Sequence, residues 1–269
     1  MTHSVYEPEP SGVAPPPWSL LDRLVHALLP APCLGCGQAL AARGNALGLC
    51  GACRGGLARL PAQACSVCAL PLGEAYALPA GYRCGACRQT PPAFDRMLAL
   101  WSYRPPLDAV VQALKFRRLD YLGRHLAAAL AAELGSRIEG LDPIDCVVPV
   151  PLHWRRRLTR GYNQAERIAR PLAGLLGLPF DPVLSRGRAT PPQSLLGRAQ
   201  RLANLRRAFR VPRPWEIRGL HLLLVDDVAT TGATLDAAAE TLKRAGAAAV
   251  TALVAGRTPL HPATGVSRA

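Results

Sequence analysis

The string Val225-Asp-Asp-Val-Ala-Thr-Thr-Gly-Ala-Thr234 concentrates the richest chemistry in the chain. Asp226 and Asp227 are adjacent carboxylates, and their repulsion is costly unless a cation or hydroxyl groups lie between them. Small and hydroxylated residues follow, Ala229, Thr230, Thr231, Gly232, Ala233 and Thr234, and they open a helix. A helix start presents free backbone N–H groups and a positive dipole end to an anion. The threonines add hydroxyl donors. Acids first and anion cradle second suit a ligand with vicinal hydroxyls and a phosphate, such as ribose 5-phosphate. A P-loop would need Gly-Lys-Ser/Thr instead.

A second chemistry lies upstream. Eight of the nine cysteines form four CxxC pairs: Cys33/Cys36, Cys50/Cys53, Cys65/Cys68 and Cys84/Cys87. Thirteen residues separate the first two pairs and fifteen the last two. A CxxC turn aims two sulfurs at one point, and a second turn completes a tetrahedron of soft thiolates around Zn²⁺. Disulfides fit poorly in a chain without an export signal. No βαβ pattern surrounds the pairs, which disfavours a redox CxxC, and the tight clustering typical of iron–sulfur ligands is missing. Two structural zinc ions are expected. Four pairs combine in three ways and the spacing does not choose among them. Sequential pairing is favoured because each half then folds locally around its own metal. Cys146 stands apart, before an apolar run, and reads as a core residue.

The elements that position the acid string read as alternating strands and helices. Strands are expected over 97–103, 146–150, 220–225 and 249–255. Helices are expected over 105–116, over 121–134 with Gly135 as the stop, over 163–176 with Gly177 as the stop, and over 232–245 before Gly246. A polar loop is expected over 185–197, followed by a basic helical stretch to Phe209. This order implies an α/β fold with a mostly parallel, doubly wound sheet. Ligands of such sheets sit outside the carboxyl ends of the strands, here just after Val150, Val225 and Ala255.

Charge and the chain ends set the surroundings. The 32 Lys and Arg against 18 Asp and Glu give a net charge of +14, and only Lys115 and Lys243 are lysines. Arginine suits bidentate contact with phosphate, so a polyanionic partner or substrate is in play. Trp154-Arg-Arg-Arg157 and the stretch 201–210 mix cations with aromatic residues, as single-strand binders do. Residues 1–17 are polar and proline-rich, with no basic-then-apolar export signal, so a cytoplasmic location is expected. The stretch 18–29 reads as a short helix with Trp18, Leu21, Val25 and Leu28 on one face. No apolar run approaches the roughly 20 residues of a membrane span.

The acid string resembles the phosphoribosyl-pyrophosphate (PRPP) motif of type I phosphoribosyltransferases. Further segments, Pro149-Val-Pro-Leu-His153, Arg160-Gly-Tyr-Asn-Gln164, Arg188-Ala-Thr-Pro-Pro-Gln193, Arg201-Leu-Ala-Asn204 and Phe209, resemble the ComF family. Members of that family carry a cysteine-rich zinc ribbon ahead of a transferase-like domain. The resemblance covers about Leu20 to Arg257; the expected division is a helix and double ribbon over 18–92 and a transferase-like domain over 93–258, with a disordered proline-rich tail over 1–17 and a second tail over 259–269 lying outside it. It implies that Asp226 and Asp227 hold the ribose hydroxyls of PRPP, directly or through Mg²⁺, and that Ala229 to Thr234 bind the 5-phosphate. Val150, Pro151 and Leu152 match the pyrophosphate loop, with Arg160 a nearby cation. Arg188, Thr190, Gln193, Arg198 and Arg201 fall in a flexible loop that closes over the site. The family is associated with DNA uptake, which implies single-stranded DNA or a protein of the competence machinery as partners. Thr230 stands where hypoxanthine–guanine enzymes place a carboxylate base, which disfavours purine salvage of that type. Transfer to an unidentified acceptor and PRPP sensing by a binding module both follow from the same pocket.

Overall fold

A computed structural model describes residues 31–40, 47–72, 78–152, 159–187 and 208–259. In chain order the elements are α1 (Gly51–Gly55), α2 (Gly85–Gln89), β1 (Arg96–Ser102), α3 (Leu107–Phe116), α4 (Leu122–Glu139) and β2 (Cys146–Pro149). There follow α5 (Gln164–Leu176), β3 (Ser185–Arg186), β4 (Phe209–Arg210), β5 (His221–Ala229), α6 (Ala233–Arg244) and β6 (Ala249–Arg257). The helix read over 18–29 lies outside the described residues, as do the basic stretches 154–157 and 201–207.

Among the described residues β1, β6, β5 and β2 form one parallel sheet in that order. The strands are near-continuous apolar runs because both faces are covered. Alternation along them sorts side chains into two cores. Leu222, Leu224, Val250, Ala252 and Val254 join Leu235, Ala238 and Leu242 of α6 on one face. Leu223, Val225, Leu253 and Ala255 join α3, α4 and α5 on the other, through residues such as Val111, Leu126 and Ile168. The expected doubly wound architecture is therefore present.

Three local expectations need correction. The helix read to stop at Gly135 continues to Glu139, because Leu122, Leu126, Leu130, Leu134 and Ile138 repeat every four residues and keep one buried stripe; Gly140 caps it instead. The strand read to stop at Val225 runs to Ala229, pairing Asp226 with Val254 and Ala229 with Arg257 of β6. The polar loop begins two residues later than read, and Phe209 itself lies in a strand, while the basic stretch read before it lies outside the described residues. Ser185–Arg186 and Phe209–Arg210 pair as an antiparallel ribbon. By contrast α5 has the termini its sequence advertises: the Asn163 side chain accepts from the Ala165 N–H, and Gly177 closes the helix at φ +65°.

The edge strand β1 does not end in solvent. Leu60 N–H donates to Leu100 O at 2.9 Å, Ser102 N–H to Ala58 O at 2.8 Å, and Met97 N–H to Val67 O at 2.7 Å. The cysteine-rich segments thus occupy the ladder groups that a bare edge would expose.

Candidate functional site

β2 and β5 run in register as far as Pro149 opposite Val225. Val150 N–H still reaches Val225 O at 2.9 Å, and then the chain after β2 turns away. β5 continues through Asp226 and Asp227, leaving that side of it open. A cleft of about 330 Å³ forms there. Val150, Pro151, Leu152, Arg160, Asp226, Asp227, Thr230 and Thr234 line it with Tyr103, Lys115, Asn163, Gln164 and Arg186. Two other clefts are larger, about 490 and 570 Å³, but neither contains the acid pair. Chemistry and topology favour the smaller one.

Asp227 is buried and pairs with Lys115 Nζ at 2.9 Å. Burial, then the Asp227 charge, push the Asp226 carboxyl up to about 7, against the lowering effect of the Asp227 N–H, Lys115 and Arg186. That N–H donates to Asp226 Oδ1 at 2.8 Å. Lys115 engages Asp227, and two adjacent carboxylates lining one cleft still suit a cation or a polyhydroxyl ligand. The turn beyond it passes through Gly232 at φ +82°, a left-handed conformation that suits glycine, and enters α6. Ala233 N–H donates to Thr231 Oγ1 at 3.3 Å. Ala229 lies behind the cleft, buried, and Thr231, Gly232 and Ala233 flank it without lining it.

The opposite wall is fixed by the start of α5. Asn163 Nδ2 donates to Val150 O at 3.0 Å, tying the segment after β2 to the helix that Asn163 itself caps. Arg160 lies 4.7 Å from the Phe116 ring and donates to Gln164 Oε1 at 3.2 Å. Gln164 is 3% exposed, and its Nε2 has no hydrogen-bond partner among the described residues. A buried donor of this kind lining a cleft can be met by water or by a ligand. Arg188, Thr190, Gln193, Arg198 and Arg201 lie outside the described residues.

Sequence reasoning missed Lys115, Tyr103 and Gln164 as site residues, and Arg186 fell inside a loop range without being singled out. Lys115 did carry a signal, being one of two lysines in an arginine-rich chain. Gln164 was visible in the Arg160–Gln164 segment. Its burial was not.

The cysteines gather as Cys33, Cys36, Cys50, Cys53 and as Cys65, Cys68, Cys84, Cys87, with all sulfurs of a group within 4.8 Å of one another. This is the sequential pairing. Cys36 Sγ to Cys50 Sγ and Cys68 Sγ to Cys84 Sγ are each 3.7 Å. That is far beyond an S–S bond of about 2.05 Å and close to the edge of a tetrahedron with Zn–S of about 2.3 Å. Backbone N–H groups also reach sulfur: Cys50 N–H to Cys33 Sγ at 3.2 Å and Cys84 N–H to Cys65 Sγ at 3.3 Å. Burial pushes these two thiols up, but neighbouring amides outweigh it and bring Cys33 down to about 6 and Cys65 to about 7. Each group fits one structural zinc. Cys146 is buried in the sheet core, where burial pushes its thiol up to about 11.

The fold and these two centres define a double zinc ribbon joined to a phosphoribosyl transferase domain. Residues 24–88 match the double zinc ribbon domain family and residues 158–259 the phosphoribosyl transferase domain family. The DNA utilization protein YhgH of Salmonella typhi is 40% identical over 215 residues, covering 76% of this chain and 94% of that protein. Competence protein F of Haemophilus influenzae is 32% identical over 203 residues, covering 74% and 86% respectively. The chain belongs to this ComF/YhgH family. Among solved structures, the glutamine PRPP amidotransferase of B. subtilis is similar over 49% of this chain and 25% of that one, at 21% identity and a TM-score of 0.36. No described helix is long and apolar enough to cross a membrane.

Proposed function

We propose that the cleft binds PRPP together with Mg²⁺ and that the chain transfers its phosphoribosyl group to an acceptor, releasing pyrophosphate. The observation that carries this reading is the open side of β5, where the adjacent acids Asp226 and Asp227 line one cleft with Gln164, whose buried Nε2 has no partner among the described residues. In this reading Asp226 and Asp227 hold the ribose hydroxyls, directly or through the metal. The turn from Ala229 to Thr234 takes the 5-phosphate with backbone N–H groups and hydroxyls. Val150, Pro151, Leu152, Arg160 and Gln164 receive the pyrophosphate, and Lys115 holds Asp227 in place through their ion pair.

The transition state of such a transfer is oxocarbenium-like. The protein's work is placement and charge stabilisation rather than covalent chemistry. Bound Mg²⁺ supplies positive charge to the phosphate oxygens. Thr230, which lines the cleft, offers no carboxylate base, so the acceptor is not expected to be a purine of the hypoxanthine–guanine type.

The relatives' names connect them with DNA utilization and competence, and the net charge of +14 agrees with a polyanion partner. These observations support single-stranded DNA as acceptor or ligand, and a competence-machinery protein as partner. They equally support a second reading, a PRPP sensor whose ribbons and basic surface dock DNA. Calorimetry with PRPP and Mg²⁺ tests the shared step: wild type binds, and Asp226→Asn/Asp227→Asn loses about 100-fold, as expected for two charge-assisted contacts. Unchanged affinity in the double variant would reject the site. Pyrophosphate release with nucleobases or single-stranded DNA then separates transferase from sensor.

A further inference from the structure

Arg257 closes β6 and is 4% exposed, yet no carboxylate pairs with it among the described residues. Its guanidinium is satisfied by carbonyls from two distant parts of the chain. Nε donates to Cys68 O at 3.0 Å. Nη1 donates to Ala229 O at 3.0 Å and to Thr230 O, with Thr258 O at 3.5 Å completing the set. Cys68 belongs to the second four-cysteine group, and Ala229 and Thr230 begin the turn that enters α6. A rigid planar fork is suited to holding two backbone segments at a fixed separation.

The link is not isolated. Cys65, Cys68, Cys84 and Cys87 share one core with Ala229, Leu235 and Ala238. Thr258 N–H donates to Ala229 O at 3.0 Å, which fixes that carbonyl from a second side. The first cysteine group packs in the opposite core, and no described hydrogen bond joins it to the turn.

We propose that Arg257 is a positioning residue: it ties the backbone of the second zinc centre to the turn after β5, so that an intact centre fixes the turn's conformation. A functional consequence for phosphate binding rests on the reading of that turn given above. The mechanical link does not.

Hydrogen exchange on the full chain tests the link without any ligand. Arg257→Met is expected to speed exchange across 229–234 at least ten-fold while both zinc ions are retained and Leu222–Val225 stay protected. Opening the second centre with Cys68→Ser has the same local effect; opening the first with Cys50→Ser has none. Arg257→Lys keeps a buried cation but lacks the fork, so it shows the same change at about three-fold and guards against a methionine variant that fails to fold. Unchanged exchange in the lysine variant, or equal loosening from the first centre, overturns the proposal.

The ligand arm uses Co²⁺ in a Cys50→Ser/Cys53→Ser background, with only the second centre intact. Mg²⁺ and PRPP are expected to shift its visible absorption, and Arg257→Lys to abolish that shift, since coupling between sites is reciprocal. A shift that persists in Arg257→Lys also overturns the proposal. If calorimetry shows no PRPP binding while the exchange results hold, it is the assignment of the pocket that fails and the link that stands.

Discussion

The two four-cysteine groups have the same ligands and different neighbourhoods. In the first, Cys33 is buried, Cys36 exposed, and Cys50 and Cys53 half-buried. Its companions Leu40, Leu47 and Leu49 pack against the face of the sheet that also carries α3 and α4. In the second, all four cysteines are buried and share a core with β5, β6 and α6. The same ligand set therefore sits in two settings: the first group at the margin of the α3–α4 core, the second inside the core that also holds β5, β6 and α6.

The largest effect should come from breaking that contrast directly. Zinc binding contributes about 10–16 kcal/mol to folding in isolated fingers, comparable with the roughly 5–15 kcal/mol stability of a domain. Cys65→Ser/Cys84→Ser is expected to lower the melting temperature far more than Cys36→Ser/Cys50→Ser, each variant losing one zinc and keeping a cooperative transition. Calorimetric melting with metal analysis decides, and equal damage from both would erase the distinction.

A smaller loss is expected at the site itself. Lys115→Met leaves Asp227 buried without its partner, at a cost of about 2–4 kcal/mol and roughly 5–10 °C in melting temperature. Because Lys115 lies on the core face served by the first centre, this loss should persist in a variant emptied of that centre.

The pH response follows from Asp226. Its folded-state pKa is raised, so the folded state binds a proton that the unfolded chain has released between about pH 4 and 7. Stability from this group is therefore present at acid pH and falls as pH rises through 7. Asp226→Asn should flatten that slope in urea titrations at pH 5 and 8. Metal-dependent PRPP binding needs the ionised form and should strengthen over the same interval.

The smallest effect separates the ribbons' turns. Gly81 has φ +77° with open space around its missing Cβ, so Gly81→Ala costs about 1 kcal/mol of backbone strain. Gly48, at φ +66°, would also place a Cβ 2.8 Å from Leu34, and Gly48→Ala should cost somewhat more and speed zinc loss from the first centre alone. Chelator-driven release kinetics would resolve the two.

Much of this was legible from local chemistry. Four CxxC pairs dictate metal centres wherever they fold, and Asn163 and Gly177 mark the ends of α5 because capping depends on nearest neighbours. The strand carrying Asp226 and Asp227 was legible, but its true end at Ala229 was not. Its extension depends on β6 being long enough to pair with it, which is a tertiary fact. Gly135 misled for the same reason: the stripe ending in Ile138 outweighs one glycine's preference to stop. Lys115 lies 112 positions in sequence from Asp227, and Arg257 lies 189 from Cys68 and 27 from Thr230, beyond any local pattern.

The hydrogen bonds between β1 and Ala58, Leu60 and Val67 have a consequence for how the molecule meets copies of itself. With that border occupied by its own chain, the sheet has no free row there onto which another molecule's strand can graft. A fragment beginning at Phe94 would bare it, and such a fragment should assemble into sheet-bridged aggregates even though every strand of its sheet is present.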